Sequence, residues 1–288
     1  MSEWDAPVVA AQETAGVRDV DGGPEPSGSR RRRLPVWALL PLFGVFLLVP
    51  QFVSLFIFGI DAFEGQFDDV ESALATELVP DAGGAVIASA VILLLGWTGL
   101  VWRERLRTRG WVWIVPLSVI GLSLALTDVG RLSEVGPDLA LALLVGTLFT
   151  GISEELMFRG IALQSLRDRV REGWAAFWTT VLFASLHLVN VLVIGSDAVV
   201  QALAALPIGF LLYLARRVSG GIAVPIVMHW LYDVSVFSQT VGPGETNSTD
   251  NGFSLLVLCV ALVMLVAVLH RRVAPAKPAT PHLVTQTA

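Results

Sequence analysis

Residues 153–160 read Ser-Glu-Glu-Leu-Met-Phe-Arg-Gly, inside an apolar run that opens LALALLVGTLFTGI at 139–152 and continues GIAL at 160–163. A helix needs roughly 20 apolar residues to cross about 30 Å of hydrocarbon. Two glutamates and an arginine within such a run are costly, and by default they mark function. Whether the run is a membrane helix depends on the rest of the chain.

Other runs like it surround it. The 288 residues are 54% hydrophobic and 15% charged, with a mean hydropathy of +0.69; a soluble domain carries about 25% charged residues. Apolar runs recur at roughly 34–60, 82–102, 110–127, 138–166, 173–195, 198–215, 219–240 and 252–270. The expected class is an all-α polytopic membrane bundle of about eight transmembrane helices. Pro41, Pro50, Pro116, Pro207 and Pro225 fall within these runs, as membrane helices tolerate. The single cysteine, Cys259, permits neither an intrachain disulfide nor a cysteine-based metal cluster. Membrane lipid is the expected environment, and nothing in the sequence points to nucleic acid.

The loops give a direction. With the N-terminus inside, 17 of the 19 basic residues fall on inner segments, including Arg30 to Arg33, Arg103 to Arg109, Arg167 to Arg171, Arg216 and Arg217. The first outer loop, 61–81, holds Asp61, Glu64, Asp68, Asp69, Glu71, Glu77 and Asp81 without one Lys or Arg. This is the positive-inside pattern, and it predicts eight spans with both ends inside. Residues 1–33 and 271–288 read as disordered tails flanking a transmembrane domain at 34–270. Ile60, Phe63, Phe67, Val70, Leu74 and Leu78 have helical spacing, so the first outer loop is expected to form an amphipathic helix, on the outer membrane surface or packed over the bundle. The Asn247-Ser248-Thr249 sequon reads as a chance match.

Away from span ends the ionisable residues are Glu154, Glu155, Arg159, His187, His229 and Asp233, on the fourth, fifth and seventh runs. At 1.5 Å per residue, Glu154, His187, His229 and Asp233 lie about 20, 22, 14 and 20 Å from the basic edge. Three runs in alternating directions thus deliver polar groups to one layer. Glu155 and Arg159 are i and i+4 and can pair; Glu154 points about 100° away, with no local partner. His229 and Asp233 are also i and i+4. Each has a plain packing alternative: a buried pair for Glu155–Arg159, interhelical hydrogen bonds for the others.

Glu154-Glu155-Leu156-Met157-Phe158-Arg159, Phe183-Ala184-Ser185-Leu186-His187 and His229-Trp230-Leu231-Tyr232-Asp233 resemble, in order and placement, the three motifs of the CAAX protease and bacteriocin-processing family of intramembrane peptidases. The resemblance covers about residues 138–240. It implies that Glu154 activates water, that His187, His229 and residue 233 bind that water or stabilise the oxyanion, and that Glu155 and Arg159 orient the site. Relatives that act on prenylated proteins carry Asn where this chain has Asp233. An ionised aspartate would repel an oxyanion, so Asp233 is expected to be protonated, to orient His229 or to bind a metal. A carboxylate with two imidazoles is also a zinc set, drawn from Glu154, His187, His229 and Asp233, which leaves the cofactor open between none and zinc.

The resemblance implies an endopeptidase of membrane-associated proteins or peptides, in a plasma membrane that composition suggests is bacterial. Two other classes compete. A proton-coupled transporter would use the same residue types but would carry an internal repeat, and no second Glu-Glu-x-x-x-Arg segment exists. A non-catalytic scaffold or immunity protein on the same fold would tolerate loss of Glu154, which is present.

Overall fold

The computed structural model describes residues 32–63, 65–191, 195–243 and 249–273. Among these residues all regular structure is helical. Each apolar interval contains one long helix: α1 Leu39–Phe58, α2 Val70–Leu95, α3 Gly110–Leu126, α4 Pro137–Arg167, α5 Glu172–Leu186, α6 Asp197–Ser219, α7 Ala223–Phe237 and α8 Thr249–Val268. Four of them, α1, α2, α4 and α6, are long and apolar enough to cross a membrane; α3, α7 and Gly252–Val268 of α8 are shorter apolar helices. The chain is an all-α polytopic membrane bundle. Residues 1–31 and 274–288 of the tails, and Asn247 and Ser248 of the sequon, lie outside the described residues.

The centre of the bundle is α4, which packs against α2 on one side and α7 on the other; α6 joins α5, α7 and α8. Apolar side chains that face lipid remain exposed, as on α1, where Leu40, Phe52 and Phe56 are uncovered.

One boundary differs from the sequence reading. The stretch 61–81 is no separate outer loop, because α2 begins at Val70 and its first three turns belong to the bundle. Asp69 starts it with a capping box: its carboxylate accepts from Ser72 N at 2.8 Å, and Ser72 Oγ accepts from Asp69 N at 3.0 Å. Those backbone donors hold the Asp69 carboxyl below its ordinary range. The surface-helix expectation fails because Glu77 and Ser72 are buried against protein. Before α2, Phe67 is buried at a φ of +61°, and its carbonyl accepts from Gly242 N at 2.8 Å. Arg131 ties the same end together by donating to the carbonyls of Val241, Gly242 and Pro243.

The opposite end is closed by ions. Arg167, Arg216 and Arg217, read from sequence as loop charges, are buried and paired. Arg167 donates two parallel bonds to Glu172, at 2.8 and 2.6 Å, and a third to Glu104 at 2.9 Å. Arg216 donates to the same Glu104 oxygen at 3.0 Å, to Leu100 O at 2.7 Å and to Arg159 O. Arg217 reaches Glu172 at 3.2 Å and the Tyr213 hydroxyl at 2.5 Å. The 103–109 loop is thereby fastened to the ends of α4, α5 and α6.

Glu104 anchors this clasp from outside the helices. Burial alone would raise its carboxyl, but the guanidiniums of Arg167 and Arg216 outweigh burial and hold it below its ordinary value of 4.5. A depressed carboxyl adds stability that is present above its unfolded pKa and lost as pH falls through the folded one. Glu104→Gln leaves Arg216 without a carboxylate partner and Arg167 with Glu172 alone, so it is expected to cost up to roughly 3 kcal/mol. In thermal melts of the detergent-solubilised protein the variant melts lower near neutral pH, and the gap to wild type closes below pH 4.5. Equal melting at neutral pH would show that the clasp contributes nothing.

Candidate active site

The Glu-Glu pair ends the α-helical part of α4; residues Leu156–Ala162 continue as a π-helical turn. Such turns insert one extra residue and often occur at functional sites. Within this one, Arg159 is buried. Its Nη1 donates to Glu155 Oε1 at 2.5 Å, its Nη2 donates to the Gly209 carbonyl of α6 at 2.8 Å, and its guanidinium carbon sits 4.3 Å above the Phe183 ring. The i, i+4 pairing read from the sequence is present.

Phe183 holds this layer together. Its ring meets Phe158 at 5.3 Å, His187 at 5.2 Å and His229 at 5.6 Å, each near edge-on. His187, at the end of α5, has Nδ1 3.1 Å from Phe183 O. A carbonyl only accepts, so Nδ1 carries the hydrogen, and in the neutral ring Nε2 is left as an acceptor.

His229 lies among three carboxylates. Its Nε2 is 3.5 Å from Asp233 Oδ2 and 3.7 Å from Glu154 Oε2, and its Nδ1 is 3.3 Å from Glu155 Oε1. The last contact has ion-pair distance without hydrogen-bond alignment, since His229 Nδ1 has no hydrogen-bond partner. Glu154 Oε2, Glu155 Oε2 and Asp233 Oδ2 are likewise buried with no protein hydrogen bond. Ionised carboxylates only accept, so His229 can serve both sides only as the imidazolium.

The structure therefore brings Glu154, Glu155, Arg159, His229 and Asp233 into one cluster and places His187 beside it across Phe183. Among the described residues no group of three or more His, Cys, Asp or Glu that could hold a metal ion is found.

The family model described as type II CAAX prenyl endopeptidase Rce1-like matches residues 136–235. That segment of the chain is thus similar to the CAAX protease family. The matched segment runs from the start of α4 almost to the end of α7, so it contains every motif residue named above. The family so matched is one of proteases. No curated protein and no solved structure matches the chain.

Two kinds of residue at this CAAX-protease core escaped the sequence reading. Glu77 and Asp81 of α2 reach α4 through Thr150 and Ser153. Their helix lies before the matched segment, and the acids read as loop residues. The other kind is glycine at close helix crossings. A Cβ on Gly151 would meet Ile226 O at 3.1 Å and Trp230 N at 3.3 Å, so Gly151 lets α7 carry His229 up to α4. A Cβ on Gly209 would stand 2.9 Å from Phe183 Cδ1 and 3.4 Å from Arg159 Nη2.

Gly209→Ala is therefore expected to push Phe183 off Arg159, an overpacking cost of roughly 1–3 kcal/mol. Gly121→Ala on α3, whose Cβ meets nothing within 4 Å, is the control. The melting temperature should fall for the first and hold or rise for the second; an unshifted Gly209→Ala would mean that the ring and guanidinium have room to spare.

Proposed function

We propose that this protein is an intramembrane endopeptidase in which Glu154 activates a water for attack on a peptide carbonyl. The observation that carries the reading is the Glu154 carboxylate itself: one oxygen is buried, has no protein hydrogen bond, and lies 3.7 Å from His229 Nε2. Its neighbour Glu155 is held by Arg159 at 2.5 Å. One acid is thus engaged in structure, and the other is free to take a proton.

In this mechanism Glu154 removes a proton from water as the oxygen attacks the scissile carbonyl, then returns it to the leaving amine. His229, as imidazolium, donates to the developing oxyanion, an interaction worth about 3–4 kcal/mol in a water-poor site. The 3.5 Å approach of Asp233 to His229 Nε2 suits an aspartate that orients and charges the imidazole rather than one that touches the oxyanion. His187, with Nδ1 committed to Phe183 O, offers Nε2 as an acceptor for the attacking water. No step of this mechanism uses a metal.

The substrate class that suits such a site is a membrane-anchored protein or peptide. Nothing in the sequence points to a prenylated one, and processing of a membrane-anchored peptide, a signal protein or a regulator is the better fit. On the charge pattern of its loops the bundle is assigned eight crossings with both ends inside, and on composition a bacterial plasma membrane.

The test is cleavage of a peptide library by the detergent-purified protein, read by mass spectrometry. Wild type, Glu154→Gln and chelator-treated wild type run side by side. Loss of a general base costs about 10²- to 10⁴-fold, so products should vanish in Glu154→Gln and persist with chelator. Cleavage that survives in Glu154→Gln removes the proposed base. Cleavage that dies with chelator restores the zinc set.

A further inference from the structure

The family motifs leave the acids of α2 without a role. Glu77 and Asp81 stand one turn apart, face α4 and lie within hydrogen-bond reach of each other. Gln66 Nε2 donates to Glu77 Oε1. Ser153 Oγ donates to Asp81 Oδ1 at 2.8 Å. The two remaining oxygens converge on one hydroxyl: Thr150 Oγ1 lies 2.8 Å from Asp81 Oδ2 and 3.1 Å from Glu77 Oε2.

A hydroxyl has one hydrogen to give. With both carboxyls ionised, one anionic oxygen would face a lone pair of Thr150. If Thr150 donated instead to Gly146 O, 3.2 Å away, both oxygens would be stranded. One added proton resolves the count. A protonated Asp81 donates to Thr150 Oγ1, which then donates to Glu77 Oε2; run in reverse, a protonated Glu77 donates to Thr150, which donates to Asp81 Oδ2. Either direction leaves every donor matched to an acceptor.

We infer that Glu77 and Asp81 share a single proton through Thr150, and that Asp81 is a positioning residue that fixes the turn of α4 bearing Glu154. Both hydroxyls that it engages belong to that turn, since Ser153 adjoins Glu154 and Thr150 lies four residues before it. The charged groups facing the pair are Glu154 on α4 and His229 and Asp233 on α7. From α1 the neighbours are uncharged: Pro50 lies against Gly83, and Ser54 Oγ donates to Ala75 O at 2.6 Å. Two ionised acids here would set like charge against Glu154 and Asp233; the shared proton removes one of them. The inference rests on the reading of Glu154 as the base, but its proton count does not.

Infrared spectroscopy of the full-length protein tests the count without any substrate. In the Glu154→Gln background, the C=O stretch of a protonated carboxyl should be present near neutral pH. Asp81→Asn alone and Glu77→Gln alone should each remove all of it, because an amide hydrogen takes the place of the one shared proton. Half the band lost in each variant would mean two independent protons, and no change would mean none; both overturn the inference.

Cleavage of the peptide library tests the positioning role. Asp81→Ala, which loses both hydroxyl contacts, is expected to lower kcat about ten- to a hundredfold with little change in KM. Asp81→Asn, which keeps an acceptor for Ser153 and a donor for Thr150, should recover most of it. If Asp81→Ala does not fold, Thr150→Val against Thr150→Ser makes the same comparison. Asn as damaging as Ala, or Ala harmless, overturns the role. If cleavage survives Glu154→Gln, the proposed base fails while the infrared result still decides the pair.

Discussion

A guanidinium in the middle of a bilayer finds no water to accept its hydrogens, so the protein must supply every acceptor. Arg159 obtains two of them from two helices, Glu155 on its own and the Gly209 carbonyl on α6, and lays its flat face on Phe183 from α5. That arrangement fixes three helices relative to one another at a single point. It requires glycine at 209, because a larger residue would occupy the place of the ring. It also engages Glu155, so that of the two adjacent glutamates beside His229 only Glu154 has no arginine partner. The asymmetry of the pair, and with it any acid–base chemistry of the cluster, follows from where one arginine finds its partners.

The remaining charge is managed by distance and by sharing. Around the layer stand five carboxyls, Glu77, Asp81, Glu154, Glu155 and Asp233, with the Arg159 guanidinium and the His229 imidazole among them. So many ionised acids in a poorly solvated bundle would repel strongly. The Thr150 chain lowers the count by one proton, and the placement of His229 between Asp233, Glu154 and Glu155 lets one imidazolium serve three neighbours. The ionic clasp at the Arg-rich end is kept apart but is not disconnected: Arg216 donates to Arg159 O, so the backbone of the π turn is held from outside while its side chain is held from within.

Much of this was legible in the sequence because lipid imposes a simple rule. Apolar runs located all eight helices, and the i, i+4 spacings of Glu155–Arg159 and His229–Asp233 put the right side chains on common faces. The failures share one cause. Hydropathy assigns acids to water, so Glu77 and Asp81 were read as loop residues and α2 was started a dozen residues late. The same logic read Arg167, Arg216 and Arg217 as loop charges, although each finds a carboxylate partner inside the protein. A signal did exist: Asp69 and Ser72 form a helix start, and Thr150 and Ser153 are polar positions on an otherwise apolar α4 that need partners. Gly151 and Gly209 left no comparable trace, because a glycine's value at a crossing depends on which backbone arrives from the other helix.

The two π-helical turns complete the account. One, Leu74–Leu78, contains Glu77, and the other, Leu156–Ala162, begins directly after Glu155. A regular α-helix advances 100° per residue, so a side chain that must leave one helical face for another can do so only at a turn. The extra residue of a π turn makes that shift within a continuous helix and keeps the backbone hydrogen-bonded, which a loop inside lipid could not do. On α4 it contains Arg159, which pairs back to Glu155 while reaching the Gly209 carbonyl of α6 and the Phe183 ring of α5. On α2 it occurs where Glu77 meets Gln66 and Thr150. Helices are obligatory at this depth, and the π turn lets them change face where charged groups must converge.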